Sequence, residues 1–378
     1  MPKQTRILGR AFVAVGALAA LVTATAVPAA AAEPSAANVS SVEQDVDRLY
    51  QEVADLLQTP RPAKVLSNSK PLLASPIPEP GKKSSPAVAG SPDCTQGSLL
   101  TEVDKLAEHL TETELDAAGA LSRLVELYAS TVATDKSPQV FGTDGQYTPR
   151  ATAAIDKLRG FWNIESWNIQ LVAMKGTDAG SPEKMTQTFA LGFDPARAAE
   201  AGELATKVTN EIPVLQGGRN PLLSLNAYSY DADNPGGKRI TLGDGLLNVN
   251  NRSGFDDVSV EAVLGHEYGH QVDFANGNFP GDESGEMGPD AYAGYFLAHA
   301  KGEAWDARAQ QEVTYLNASI GDCEHSHGTP EQRKAAGAWG EQQALKQFNP
   351  NQIVPSAKII ERFQQQYPKL MRTQNAAH

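Results

Sequence analysis

The chain has 378 residues, of which 41% are hydrophobic and 20% charged, and its formal net charge is −13. This length and apolar content exclude a disulfide-stapled miniprotein and a disordered chain, and they predict a folded protein of enzyme size. The excess of acidic residues argues against nucleic acid as a partner, because polyanions select clustered Lys and Arg.

The first 32 residues have the pattern of a cleavable secretory signal peptide. Lys3, Arg6 and Arg10 precede an apolar stretch, and a run of alanines ends at Ala32. We therefore expect cleavage after Ala32 and a secreted, extracellular mature chain. An uncleaved membrane anchor is the alternative, although it usually needs about 20 apolar residues. We expect no stable membrane association once the leader is removed.

Residues 33–97 are predicted to hold one amphipathic helix and a proline-rich segment. Apolar residues recur at helical spacing over residues 42–57. From residue 59 to residue 92 the chain carries eight prolines among Ser, Gly and Lys. Such a composition lacks the apolar content for a core, so we interpret it as an extended linker or a removable pro-segment.

Residues 98–139 are predicted to form a helical hairpin, because two apolar patterns with helical spacing follow each other there. Residues 140–378 mix helical and strand patterns, which favours an α+β domain. Within this domain we expect helices over residues 149–158, 195–212, 257–276 and 289–301, a strand over 161–175, and two strands over 222–230 and 239–242 joined by a hairpin loop.

The helix predicted over residues 257–276 carries the motif His-Glu-x-x-His, at His266, Glu267 and His270. Residues four apart project from one helix face, so the two imidazoles can bind one zinc ion at ~2.0–2.1 Å. Glu267 can then take a proton from a metal-activated water. A surface helix is the alternative, but Gly269 inside it costs ~1 kcal/mol relative to Ala, and a surface position gives no reason for that cost.

A catalytic zinc site needs a third protein ligand and leaves its fourth position open. Glu286 and Asp290 lie four residues apart in the next predicted helix, so both can face the same way. Glu286 is the candidate ligand, and Asp290 can accept a hydrogen bond from a ligating histidine. Acidic capping of a helix start is the alternative for this pair. Asp282, Glu283 and Asp290 itself stay open as third ligands.

The string from Glu286 to Gly294 resembles the Glu-x-x-x-Asp-x-x-x-Gly element of the gluzincin metallopeptidases, and it is most similar to that of the bacterial neutral zinc metallopeptidases. His327-Gly328-Thr329 and the residues up to Arg333 are similar to a His-Gly-Thr/Ser-x-x-Gln-Arg element of that family. Residues 225–228 and 242–247 resemble the paired strands before the zinc helix. The resemblance extends over about residues 222–340.

This resemblance implies a zincin-like fold with a small sheet, and an edge strand near the metal on which an extended peptide substrate would lie. It also implies one Zn²⁺ held by His266, His270 and Glu286, with Glu267 as general base and Asp290 supporting a ligand. The sequence departs from the family at Pro289, where Ala is usual. Proline is tolerated in a first helical turn, so we expect Glu286 at the very start of its helix.

Further residues are candidates for a functional or structural role. His327 is the preferred transition-state stabiliser, because a donor must face the oxyanion that develops opposite the general base. A solvated loop histidine or a structural hydrogen bond is the alternative. His325, Tyr292, Tyr295, Tyr228 and Arg333 are weaker candidates for the same task.

Cys94 and Cys323 are the two cysteines of the sequence, and in an exported protein they can form a disulfide.

Together these patterns predict a secreted zinc metallopeptidase that acts on a peptide or protein substrate, using zinc-activated water and Glu267 as general base. Two alternatives stay open. The first is a non-catalytic exported module that keeps the fold and binds a partner. The second is a zinc hydrolase of a non-peptide amide.

Overall fold

The computed structural model describes residues 36–73, 95–281, 283–323 and 327–375. The predicted signal peptide and Cys94 lie outside these ranges, so leader cleavage and the pairing of Cys94 with Cys323 stay predictions. None of the helices in the described ranges is long and apolar enough to cross a membrane.

The described residues form helices around one small sheet, which is consistent with the expected α+β class. The helices are α1 (Ala36–Leu57), α2 (Pro60–Ser67), α3 (Ser98–Glu108), α4 (Glu112–Leu127), α5 (Thr148–Phe161), α6 (Pro182–Phe189), α7 (Pro195–Glu211), α8 (Asp244–Arg252), α9 (Ser259–Ala275), α10 (Ser284–Ala298), α11 (Ala307–Ser319), α12 (Pro330–Leu345) and α13 (Ser356–Asn375). The strands are β1 (Ser69–Pro71), β2 (Gln170–Met174), β3 (Ala227–Tyr230) and β4 (Arg239–Gly243).

The four strands pair in the order β1-β3-β4-β2. Strands β3 and β4 form the predicted antiparallel hairpin, with Tyr228 opposite Thr241. Strand β2 joins β4 in parallel, and β1 pairs antiparallel with β3. Helix α9 packs against β3 and β4, so the sheet lies beside the helix that carries the His-Glu-x-x-His motif.

The expectation that a linker begins at residue 59 is wrong for its first part. Residues 60–71 form α2 and β1, and Leu72 and Leu73 behind them are buried. The prolines permit this because Pro60 opens α2, where no backbone N–H is needed, and Pro71 lies on an outer strand of the sheet. The segment before residue 74 is therefore part of the folded protein.

Helices α3 and α4 follow each other as expected, but they do not pair as the main partners of a hairpin. Helix α4 begins with a capping box between Thr111 and Glu114 and packs chiefly against α1. Helix α3 packs against α8 and α11. The apolar faces that the sequence shows are real, but they are buried against elements distant in the chain.

Two predicted boundaries also differ. Strand β2 begins only at Gln170, because α5 continues through Phe161. Helix α10 begins at Ser284, so Glu286 lies in its first turn while Pro289 lies inside the helix. The expectation that Pro289 marks the first turn is therefore wrong.

Helix α10 is buried between α9 and α12, and glycines set the distances between these helices. A Cβ on Gly269 of α9 would lie 2.7 Å from the Cα of Pro289. A Cβ on Gly340 of α12 would lie 1.8 Å from the carbonyl oxygen of Ala291. Neither approach leaves room for a side chain. The close passage of α10 explains why α9 carries a glycine within its motif.

We expect the substitution Gly269→Ala to lower the free energy of unfolding by about 1–3 kcal/mol, because the added methyl group forces α9 and α10 apart. The matched control is Gly160→Ala in α5, where a Cβ would meet nothing within 4 Å in the described structure. That variant should be more stable by about 0.5–1 kcal/mol. Urea unfolding of both variants measures the difference, and a stabilising Gly269→Ala would contradict the packing argument.

Candidate metal centre

Helices α9 and α10 bring three potential metal ligands to one point. His266 and His270 lie one turn apart on α9, and Glu286 faces them from the first turn of α10. Glu286 Oε2 lies 3.4 Å from His266 Nε2 and 3.6 Å from His270 Nε2. Two ligands at ~2.0–2.1 Å from one zinc ion, at a tetrahedral angle, are about 3.4 Å apart. The spacing therefore suits a single tetrahedral ion.

The burial of these atoms points to the same occupant. His266 Nε2, His270 Nε2 and Glu286 Oε2 are buried, and none has a hydrogen-bond partner among the described residues. Buried polar atoms are usually paired, because an unpaired one loses its hydration without compensation. Two imidazole nitrogens and a carboxylate oxygen form a donor set that zinc accepts. These three residues can bind a metal ion.

Asp290 orients the first histidine from one turn further along α10. Its Oδ1 lies 2.8 Å from His266 Nδ1, so that nitrogen can donate its proton to the carboxylate and leave Nε2 free to bind a metal. Arg333 of α12 binds the same carboxylate with two hydrogen bonds, from Nε to Oδ2 at 2.8 Å and from Nη2 to Oδ1 at 3.0 Å. Asp290 and Arg333 are both fully buried, so each depends on the other for charge compensation.

The charges around the cluster shift the pKa values of its members. Burial lowers the pKa of His270 to about 4, which keeps that imidazole in the neutral form that binds metals. Burial acts in the same direction on His266, but the hydrogen bond to Asp290 and the nearby carboxylate of Glu286 outweigh it and raise the pKa to about 9. Burial favours a neutral Glu286, yet the two imidazoles hold the pKa of this carboxyl well below its usual range. The carboxylates of Glu286 and Asp290 thus favour a positive charge at the ligand cluster.

Glu267 lies next to this cluster and is completely buried. Neither of its carboxylate oxygens has a hydrogen-bond partner among the described residues. Burial raises the pKa of Glu267 to about 8, and the negative charge of Glu286 acts in the same direction. An unpaired carboxyl with a pKa near neutrality can exchange a proton under physiological conditions.

His327 stands between α12 and the outer strand of the sheet. Its Nε2 lies 3.2 Å from the carbonyl oxygen of Pro71, which can accept a hydrogen bond from it. Its Nδ1 lies 3.4 Å from Asp322 Oδ2, and its backbone N–H donates to the same carboxylate. The ring therefore reaches a peptide carbonyl, although in this structure the carbonyl belongs to β1 of the same chain.

Arg333 is the residue whose role the sequence analysis missed, since it ranked there only as a weak oxyanion donor. The signal was available in the same motif. Thr329 and Gln332 form a capping box that starts α12, and Gly328 has a φ of +85°, a conformation that favours glycine. This local structure fixes where the first turn of α12 meets α10, and so where Arg333 meets Asp290.

Other candidates have hydrogen-bond partners outside the ligand cluster or lie outside the described residues. The hydroxyl of Tyr295 accepts hydrogen bonds from Gln347 and from the backbone of Val354. Tyr292 is hydrogen-bonded to Asp273. Asp282 and His325 lie outside the described residues, and within those residues Glu283 does not join the ligand cluster.

Comparison with known proteins agrees with this site. A family model described as Peptidase family M48 matches residues 197–274, which include His266, Glu267 and His270 but end before Glu286. M48 is a zinc-dependent metallopeptidase family of gluzincin type, and the chain is accordingly a metallopeptidase hydrolase. The narrower resemblance to the bacterial neutral zinc metallopeptidases is not confirmed. No curated protein and no solved structure matches the chain.

We expect Arg333→Met to weaken zinc binding by about 10–100-fold, because Asp290 then loses its second partner and no longer fixes the His266 ring. The control is Arg150→Met, which removes a guanidinium that pairs with Glu261 at the other end of α9. Both variants should lose stability, but only Arg333→Met should lose affinity in a competition with a zinc-binding dye. Equal zinc affinities in the two variants would contradict the role given to Arg333.

Proposed function

We propose that this metallopeptidase is an exported zinc endopeptidase with a zincin-like catalytic domain. His266, His270 and Glu286 would hold one zinc ion, and Glu267 would act as general base. The observation that carries the proposal is the convergence of three buried, unpaired ligand atoms beside a fourth buried residue, Glu267, whose oxygens are also unpaired. A structural zinc site would give no use to such a carboxylate.

The residues divide the work of hydrolysis between them. A bound zinc ion would supply a Lewis acid that polarises the scissile carbonyl and lowers the pKa of the attacking water. Glu267 would take the proton of the attacking water and pass it to the leaving amine, a task for which its buried carboxylate, without a hydrogen-bond partner among the described residues, is free. Asp290 and Arg333 keep His266 in the tautomer and orientation that present Nε2 to the metal.

His327 is the proposed donor to the developing oxyanion. Support comes from the hydrogen-bonding distance of 3.2 Å between its Nε2 and the carbonyl oxygen of Pro71, which is a peptide oxygen. Asp322 restrains the ring from the other side. A donor held in advance in this way needs little reorganisation when charge develops on the substrate.

Replacement of Glu267 by Gln tests the mechanism. We expect Glu267→Gln to bind the same amount of zinc as the wild type and to lose about 10²–10⁴-fold in the rate of hydrolysis of an unbiased peptide mixture, because the general base is gone. His327→Ala should lose about 10²–10³-fold, chiefly in kcat, because its contact strengthens only in the transition state.

Zinc content and peptide cleavage are measured on the same preparations, so that loss of metal is separated from loss of chemistry. Equal and measurable cleavage by the wild type and Glu267→Gln would exclude Glu267 as the base. Stoichiometric zinc without cleavage of any peptide, even in a variant whose strand β1 is displaced from β3, would favour a non-catalytic binding module.

Export is proposed from the N-terminal sequence pattern alone. Expression of the full gene product in its native host should release a protein whose N-terminal residue is Glu33, as measured by terminal sequencing of the culture medium. Retention of the leader on the cell-associated protein would instead identify a membrane anchor.

A further inference from the structure

Strand β1 lies along the edge of the sheet that an extended peptide substrate would need. Its residues pair antiparallel with β3, with Ser69 opposite Tyr230 and Pro71 opposite Tyr228. The other side of β3 is already paired with β4. A peptide that joins the sheet by strand addition at β3 would therefore require the same backbone groups that β1 occupies.

This edge of β3 is close to the metal centre. Gln271, directly after His270, donates from Nε2 to Ser229 Oγ at 2.6 Å and to the carbonyl of Tyr230 at 3.0 Å. The strand is thus fixed to the helix that carries two of the ligand atoms.

Residues that serve the site also hold β1 and the two residues after it. The carbonyl of Pro71 lies at hydrogen-bonding distance from His327, the proposed oxyanion donor. The carbonyl of Leu72 lies 3.5 Å from Nη1 of Arg333, which binds Asp290. A chain segment is thus bound by its carbonyl groups where the proposed mechanism needs a substrate carbonyl.

The side chains and ends of this segment are held as a bound peptide would be. The side-chain amide of Asn226 donates to the carbonyl of Leu73 and accepts from its N–H, both at 2.9 Å. The N–H of Leu72 donates to the carbonyl of Ala227 at 3.0 Å. Leu72 and Leu73 are only 2% and 1% exposed, so both aliphatic side chains fill buried positions.

The residues of the metal centre are buried in this arrangement. His270 is 1% exposed and Glu267 is 0% exposed, whereas a catalytic zinc site must admit substrate and water. We infer that residues 69–73, here called the blocking strand, occupy the peptide-binding edge of β3 as an internal substrate-like inhibitor, so that the full chain is latent until this strand is displaced. This inference rests on the proposed peptidase function.

Helix α1 precedes the blocking strand in the chain, and its contacts with α4 and α7 keep that strand in place. Its buried face packs on α4 and α7, and Arg197 of α7 bridges to Glu52 at 2.9 Å and to Asp55 at 2.6 Å. Lys207 of the same helix pairs with Asp45 at 2.7 Å. A strand attached to a docked helix acts as an intramolecular ligand, whose effective concentration is on the order of millimolar.

The test displaces the blocking strand in the full chain by the double substitution Leu72→Asp and Leu73→Asp, which places two charges where aliphatic groups are now buried. A matched control, Ser67→Asp, adds a carboxylate at an exposed site two residues before the strand. Both are made with Glu267 intact and in the Glu267→Gln background. Thermal unfolding checks that each variant folds, and Leu73→Ala serves as a milder second variant.

The first readout is independent of catalysis. A fluorescent peptide with the sequence of residues 67–73 is titrated into the Glu267→Gln proteins, and its anisotropy reports binding. We expect the double variant to bind this peptide at least about tenfold more tightly than does the Glu267→Gln protein with the native blocking strand or with Ser67→Asp. The reason is that the edge of β3 is vacant in most molecules of the double variant. Leu73→Ala should show a smaller gain in the same direction.

The second readout is hydrolysis of the peptide mixture by the zinc-loaded proteins with Glu267 intact. We expect at least about a tenfold rise for the double variant and no change for Ser67→Asp. A tenfold gain in peptide binding without cleavage by any variant would support the blocking strand and overturn the proposed peptidase function. Unchanged or weaker peptide binding by a folded double variant would overturn the inference, since β1 would then be a permanent part of the substrate-binding sheet.

Discussion

The structure of the site depends on the burial of helix α10, which carries two carboxylates into the interior. A buried carboxylate is unfavourable unless positive charge or hydrogen-bond donors compensate it. Asp290 has its compensation within the protein, from Arg333 and the Nδ1–H of His266. Glu286 has two imidazole nitrogens nearby and an oxygen without a hydrogen-bond partner among the described residues. A cation bound at Glu286 would compensate its charge as Arg333 compensates that of Asp290.

The same burial explains why packing and chemistry are tightly coupled here. Gly269 and Gly340 let α10 approach α9 and α12 closely enough for its carboxylates to reach side chains on both neighbours. Any side chain at Gly269 would move Glu286 of α10 relative to His266 and His270, which lie on α9 with Gly269. Since ligands of a tetrahedral ion tolerate only small displacements, a packing position within the motif is also a determinant of metal geometry.

Sequence alone could predict the residues that the motif and helical spacing place on one face. His266 and His270 are separated by one helical turn, and Glu286 and Asp290 repeat that spacing. The proximity of the two residues within each pair therefore follows from helix geometry alone. The packing partners of α3 and the fold of residues 60–73 were beyond such reasoning, because both depend on contacts with distant elements. The eight prolines of residues 59–92 argued against a strand, yet β1 forms there with three residues. Pro71 does not disturb it, because β1 is an outer strand of the sheet. Local composition indicates the secondary-structure propensity of a segment. Whether that segment joins a sheet depends on another strand, here β3, whose edge is free to pair with it.

Exchange of the blocking strand for a substrate is nearly balanced in backbone hydrogen bonds, because an incoming peptide can form the same ladder with β3. Two other terms decide the outcome. Burial of Leu72 and Leu73 favours the internal strand by about 1.5–3 kcal/mol for each side chain relative to an exposed position. Attachment to α1 adds a high local concentration, so a free peptide competes only when it offers equal apolar anchors at a comparable concentration. Peptides with two adjacent aliphatic residues are therefore the best competitors, and loss of α1 from its docking site would remove the concentration advantage of the internal strand without any change at the metal centre.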